Sequence, residues 1–209
     1  MHAVAEMLKL VLASSSPRRR QLLAEAGYDF EVVAPPIEEP TDLGAALGPA
    51  ERAEALAYFK ARSVAQFMPR AYVLGADTVV AAAGTPPELL GKPADSIEAA
   101  RMLRRLSGTR HQVITGVALL GPAGYRHIAS DTTYVSLRPM TQEEIEAYVA
   151  SGEWGGKAGA YAIQESADRF VEKVEGSFSN VVGLPMEMVG RMLAAASAGR
   201  GESDYRTKE

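Results

Sequence analysis

The stretch Tyr72–Ala82, YVLGADTVVAA, is apolar enough to be a buried β-strand, yet it carries a carboxylate, Asp77, in its middle. A lone buried carboxylate costs on the order of several kcal/mol unless an opposite charge, hydrogen bonds or a metal ion compensate it. Asp77 is therefore a candidate metal ligand or general base. The competing reading ends the strand at Gly75 and makes Asp77 the opening of a turn. A core must form around this strand, and 209 residues with 47% hydrophobic side chains suffice for one domain or two closely packed lobes.

Helices and strands alternate on both sides of it. The run 8–13 ends in Ser-Ser-Ser-Pro and predicts a buried strand feeding a helix over 17–26, with Ser16 as N-cap and Pro17 in the first turn. Gly27 stops that helix, and 30–34 predicts a second strand closed by Pro35-Pro36. A long helix over 49–67 follows. After the Asp77 strand, GTPPE and Leu89-Leu90 suggest a short hairpin returning to Gly91-Lys92-Pro93. Ser96–Leu106 reads as a capped helix, and 112–120 and 128–137 as strands joined through Gly121-Pro122-Ala123-Gly124.

Thr141 and Glu144 form a capping box that opens a helix over 141–150. SGEWGGKAGAYAIQ reads as a Gly-rich loop running into a helix or strand. A strand over 171–174, a turn at Gly176-Ser177 and a last helix over 185–196 complete the chain. Residues 1–198 are expected to form one unit and 199–209 a flexible tail. Hairpins mixed with helical crossovers imply an α/β fold with a mixed central sheet flanked by helices.

Composition narrows the chemistry. The absence of cysteine excludes disulfides and thiolate metal sites, and three scattered histidines (His2, His111, His127) leave oxygen ligands, which suit Mg2+ or Mn2+. A formal net charge of −4 argues against nucleic acid as a partner and for a small anion in a local basic cleft. No apolar run approaches a membrane span, and in MHAVAEMLKLVLASSSPRRR the charge follows the apolar run, opposite to a secretory signal. The expectation is a cytoplasmic protein with no membrane partner.

The corner ASSSPRRRQLL is the sharpest local signal. It places Arg18, Arg19 and Arg20 in the first turn of a helix, where the macrodipole favours anions. A bound phosphate would reconcile them, because free amides, serine hydroxyls such as that of Ser14 and guanidinium forks together make a phosphate site. A solvated basic turn or a kinase-target SPRR sequence is the plainer alternative. Lys60 falls on the apolar stripe of the long helix and needs a partner, unless it reaches past the core's edge to water. Lys92 sits on a tight corner, either aimed into a cleft or on the surface. Glu38 and Glu39 offer a second metal-binding carboxylate or an ordinary solvated loop. Lys157 and Gln164 are candidates for reading a base edge, His111 for a structural role, and Trp154 for a lid without chemistry.

Taken in order, the segments ASSSPRR, GADTVV, GKP, LSGTRHQVITGVAL, YVASGEWGGKAGAYAIQ and GSFSNVVGLP, spread over 13–185, resemble the Maf family of septum-formation-type nucleotide pyrophosphatases. The resemblance implies a two-lobed fold of the Maf/inosine triphosphatase type around a cleft, a homodimer, a divalent metal, and pyrophosphate release from nucleoside triphosphates. By motif, Asp77 resembles the family's proton acceptor. Arg18, Thr78 and Gln164 match positions tied to substrate preference, and Ser14, Arg19, Glu38, Lys60 and Lys92 match other cleft residues, with Glu38 and Asp77 as metal ligands. The GEWxGKAGAYAIQ and NVVGLP forms look like the branch acting on dTTP and UTP rather than on 7-methyl-GTP. Glu165 departs from the glycine usual after the glutamine, and the extension before Met7 is a second departure. A nucleotide-sensing regulator of cell division is the alternative from another class.

Overall fold

β3 (Tyr72–Ala82) is a strand along its whole length and lies near the middle of a seven-stranded sheet in the computed structural model. The structure describes residues 9–36, 47–164 and 166–203, with the side chains of 199–203 left out. Glu38, Glu39, Glu165 and the segment before Met7 lie outside the described residues.

The elements in chain order are β1 (Leu10–Ala13), α1 (Pro17–Glu25), β2 (Phe30–Val33), α2 (Pro49–Ala65), β3, β4 (Glu88–Leu90), α3 (Ser96–Leu106), β5 (Arg110–Leu120), β6 (Arg126–Leu137), α4 (Gln142–Ser151), β7 (Val171–Glu175), α5 (Phe178–Val182) and α6 (Met186–Ser203). The sheet runs β2-β1-β3-β5-β6-β7, with β4 on β3. β1 pairs in parallel with β2 and β3, and every other pairing is antiparallel, so the sheet is mixed as the interleaved pattern predicts.

The last helix runs past its expected end at 196. Alanines at 194, 195, 196 and 198 favour helix and no proline interrupts them, so the segment expected to begin the tail at 199 is helical as far as Ser203. NVVGLP does not lead straight into that helix either. Phe178–Val182 forms the short α5, capped by the Ser177 side chain, which accepts from the Asn180 amide.

Period-two alternation gives β3 two different faces. Val73 packs with Val11, Ala13 and Ala118 under α2 residues Ala57, Ala61 and Val64. Leu74 and Ala76 pack on the opposite face with Leu12, Val117 and Leu119, against Leu23 of α1 and Val189 and Met192 of α6. A second lobe gathers around Val80 and Leu90, where Met102, Leu103 and Leu106 of α3 meet Ile145 and Tyr148 of α4. The long strands β3 and β5 run through both lobes.

α2 lies unusually close to the sheet. A Cβ on Gly116 would fall 2.2 Å from the carbonyl carbon of Ala53, and one on Gly75 would fall 2.4 Å from the Ala57 carbonyl oxygen. Only glycine leaves room for the helix backbone at these two points. This notch seats the helix over Asp77, which pairs with Gly116 across the ladder.

Candidate functional site

The order of strands creates the site. β1 covers the edge of β3 from Tyr72 to Gly75, and β4 covers it from Val80 to Ala82. Between them, Ala76, Asp77, Thr78 and Val79 face neither strand on that edge. The Tyr72 amide donates to the Lys9 carbonyl (2.8 Å) on the β1 side, so by the two-residue period the main-chain groups of Ala76 and Thr78 face the same gap. A cleft of about 630 Å3 opens there, beyond the carboxyl end of β1, the position where open α/β sheets take ligands.

Two elements deliver the central pair. β3 supplies Asp77 and α2 supplies Lys60, whose Nζ donates to Asp77 Oδ1 at 2.5 Å. The residues are 6% and 9% exposed. The reading of Asp77 as a turn residue is thereby corrected in favour of the strand, and Lys60 ends on a buried carboxylate instead of reaching out to water. Each charge supplies the partner that the other's burial demands.

The Ser-Pro-Arg corner forms the adjoining wall. β1 runs directly into α1, with Ser14 buried and its Oγ accepting from the Ser16 amide (3.1 Å). Ser16 is the N-cap by backbone geometry, but its side chain makes no capping bond and the first turn holds no acidic residue. Arg18 and Arg19 line the cleft, while Arg20 is exposed and outside it. Arg19 is oriented from Nε to the Gly183 carbonyl (2.8 Å) and from Nη2 to Thr78 Oγ1 (3.1 Å).

The far wall is the Gly-rich segment. Its form is two short turns, with a 3-10 turn at Ala158–Ala160, instead of a regular helix or strand. The Gly159 amide donates to the Gly91 carbonyl (3.0 Å), tying this loop to the corner that carries Lys92. Lys92, Lys157, Tyr161 and Gln164 all line the cleft. Lys157 is buried there, and Tyr161 is backed by His111, whose Nε2 lies 2.7 Å from Tyr161 Oη. Burial pushes the His111 imidazole down to about 4 and the Tyr161 phenol upward. Trp154, near the start of the same segment, donates from Nε1 to the Val149 carbonyl near the end of α4 (2.9 Å).

The structure thus brings Ser14, Arg18, Arg19, Lys60, Asp77, Thr78, Lys92 and Gln164 to one cleft, and Glu38 lies outside the described residues. Tyr161 was not singled out by sequence, since an aromatic in a Gly-rich loop carries no signal until its neighbours are known. Among the described residues lining the cleft, Arg18, Arg19, Lys60, Lys92 and Lys157 face a single carboxylate, Asp77. In a protein of net charge −4, cations from four separate segments drawn to one cleft suit an anionic ligand. No cluster of three metal-ligating side chains occurs among the described residues. A hard cation that uses one protein carboxylate and completes its shell with phosphate oxygens and water suits this donor set.

Fold and cleft together define a mixed-sheet α/β protein with a cation-lined cleft at the end of β1. The chain belongs to the Maf family: the family profile described as Maf-like protein matches residues 9–196. It is 47% identical over 188 residues to a dTTP/UTP pyrophosphatase of Pelotomaculum thermopropionicum, covering 90% of this chain and 96% of that protein. It is 49% identical over 189 residues to the dTTP/UTP pyrophosphatase of Moorella thermoacetica, covering 90% and 95%. Among solved structures, a HAM1 protein from Coxiella burnetii superposes with a TM-score of 0.55 at 17% identity, over 90% of this chain and all of that one, a likeness of fold.

Proposed function

We propose that this protein hydrolyses nucleoside triphosphates between the α- and β-phosphates, releasing pyrophosphate and the nucleoside monophosphate, with dTTP and UTP preferred. The observation that carries the reading is that Arg18, Arg19, Lys60, Lys92 and Lys157 line one cleft together with the buried carboxylate of Asp77, at the open edge of β3. The relatives at 47% and 49% identity, both named dTTP/UTP pyrophosphatases, support the reaction and the pyrimidine preference.

Arg18, Arg19, Lys92 and Lys157 bind the triphosphate and offset the charge of its phosphates. Ser14 and the amides at the start of α1 add donors at the same wall. Lys60 holds Asp77 Oδ1, which leaves Oδ2 to accept the proton of the water that attacks the α-phosphorus in line. A divalent ion such as Mg2+ or Mn2+, held by Asp77 and substrate oxygens, would supply polarisation of the α-phosphate. Tyr161 and Gln164 stand where the base end of the nucleotide reaches the Gly-rich wall.

The test is pyrophosphate release from dTTP, UTP, CTP, GTP and 7-methyl-GTP with magnesium or manganese, comparing wild type with Asp77→Asn. Turnover of dTTP and UTP that disappears in the variant is the expected result. Unchanged triphosphate in every wild-type reaction would overturn the reading and leave nucleotide sensing.

A further inference from the structure

The two hydrogen bonds that orient Arg19 lead into a closed ring. Thr78 Oγ1, which accepts from Arg19 Nη2, lies 2.9 Å from Oγ1 of its cross-strand partner Thr115. Thr115 Oγ1 donates to the main-chain carbonyl of Asn180 (3.0 Å), and the same carbonyl accepts from the Gly183 amide (3.0 Å). The Gly183 carbonyl then takes Arg19 Nε, which closes the circuit. The ring joins the first turn of α1 to β3, β5 and the end of α5.

The ring has one polarity. A carbonyl only accepts, so the Thr115 hydroxyl hydrogen is committed to Asn180 and Thr115 can only accept from Thr78. The Thr78 hydrogen therefore points at Thr115, and the Thr78 oxygen meets Arg19 and the cleft as an acceptor. Asn180, fully buried at 0% exposure, is itself held from behind. Its Nδ2 donates to the Val113 carbonyl (2.9 Å) and to Thr133 Oγ1 (3.0 Å), and Thr133 donates on to the Ser177 carbonyl (3.0 Å). Gly183 has φ +125°, a conformation side chains rarely adopt, and a Cβ there would sit 3.6 Å from both Arg19 Nε and Thr78 Oγ1.

The geometry points to Thr115 and Asn180 as positioning residues of the nucleotide site. Neither lines the cleft, and together they fix the Arg19 guanidinium and present Thr78 Oγ1 to the substrate as an acceptor, suited to an N–H or O–H and not to a phosphate oxygen. The inference rests on the pyrophosphatase reading and deepens it. Because Asp77 and Lys60 meet on the opposite face of β3, the ring governs how the nucleotide is held and leaves the proton acceptor alone.

The experiment combines steady-state kinetics on UTP with calorimetric binding of inorganic pyrophosphate, for wild type, Thr115→Val and Thr115→Ser. Thr115→Val keeps the shape and breaks the ring. It is expected to raise KM and weaken pyrophosphate binding by roughly three- to tenfold, the size of one lost neutral hydrogen bond. kcat should stay within about twofold, and Thr115→Ser should restore both constants. A folded Thr115→Val with wild-type KM and pyrophosphate affinity overturns the inference, as does a Thr115→Ser that fails to restore them. Should Thr115→Val not fold, Thr115→Cys, a weak donor, takes its place under the same criteria. A wild-type protein that binds pyrophosphate but turns over no nucleotide would count against the catalytic reading, while the binding comparison would still judge the ring.

Discussion

Lys60 Nζ and Asp77 Oδ1 stand 2.5 Å apart at the floor of the cleft, the ammonium carried by α2 and the carboxylate by the strand beneath it. Two sequence anomalies, a lysine on an apolar helical stripe and an aspartate in an apolar strand, are one structural feature. Removing Lys60 strands the Asp77 charge, whereas removing both leaves a neutral gap. Lys60→Met should therefore lower the unfolding free energy by about 3 kcal/mol in urea titrations. The double variant Lys60→Met/Asp77→Asn should regain part of that loss, with a coupling of about 1–3 kcal/mol. Strictly additive single effects would show that the pair is not energetically linked.

Lys157 is 7% exposed on the Gly-rich wall and lines the same cleft as Arg18 and Arg19. An ammonium on that wall can make a charge-assisted contact with a phosphate oxygen of the substrate. Lys157→Met should raise KM for UTP roughly tenfold, the loss of one charge-assisted contact, with a smaller effect on kcat. A variant that lowered kcat alone would move Lys157 from binding to the chemical step.

Much of the fold is legible in the sequence because its signals are local. Apolar runs bounded by turn residues place Tyr72–Ala82 and Ser96–Leu106 to the residue, and the Thr141–Glu144 box opens α4 as its spacing requires. The phosphate corner is legible for the same reason, since strand, serines, proline and arginines are contiguous. What the sequence hides is contact at a distance. Nothing in the string pairs Lys60 with Asp77, or joins Thr78, Thr115 and Asn180, which come from β3, β5 and α5. The Gly-rich wall is equally opaque, because its course depends on left-handed turns at Gly156 and Gly159 and on a bond to Gly91.

His111 sets an acid limit on stability. Its ordinary value is 6.5 and burial beside Tyr161 lowers it to about 4 in the folded protein. Between those values the unfolded chain binds a proton that the folded chain does not, so unfolding becomes easier as pH falls. The contribution is complete above about pH 6.5 and is lost on the way down to about pH 4, amounting to roughly 3 kcal/mol at most. Urea midpoints at pH 7 and pH 4.5 should fall more steeply for wild type than for His111→Phe. Parallel curves would remove His111 from the account.

The notch under α2 links packing directly to chemistry. A methyl group at Gly116 would lie 2.2 Å from the Ala53 carbonyl carbon and 2.4 Å from the Glu54 nitrogen, both backbone atoms that no rotamer change can move aside. The helix must lift or the strand must bend, and overpacking of this kind costs about 1–3 kcal/mol. Lys60 rides on that helix, so any lift carries its ammonium away from Asp77. Gly116→Ala should accordingly lose turnover by more than its loss of stability explains, measured at a temperature where the variant is still fully folded. The nucleotide KM should change less than kcat, because Arg18 and Arg19 are carried by α1 and not by α2. If kcat held at the wild-type value in the folded variant, the close seating of α2 would be a matter of packing alone.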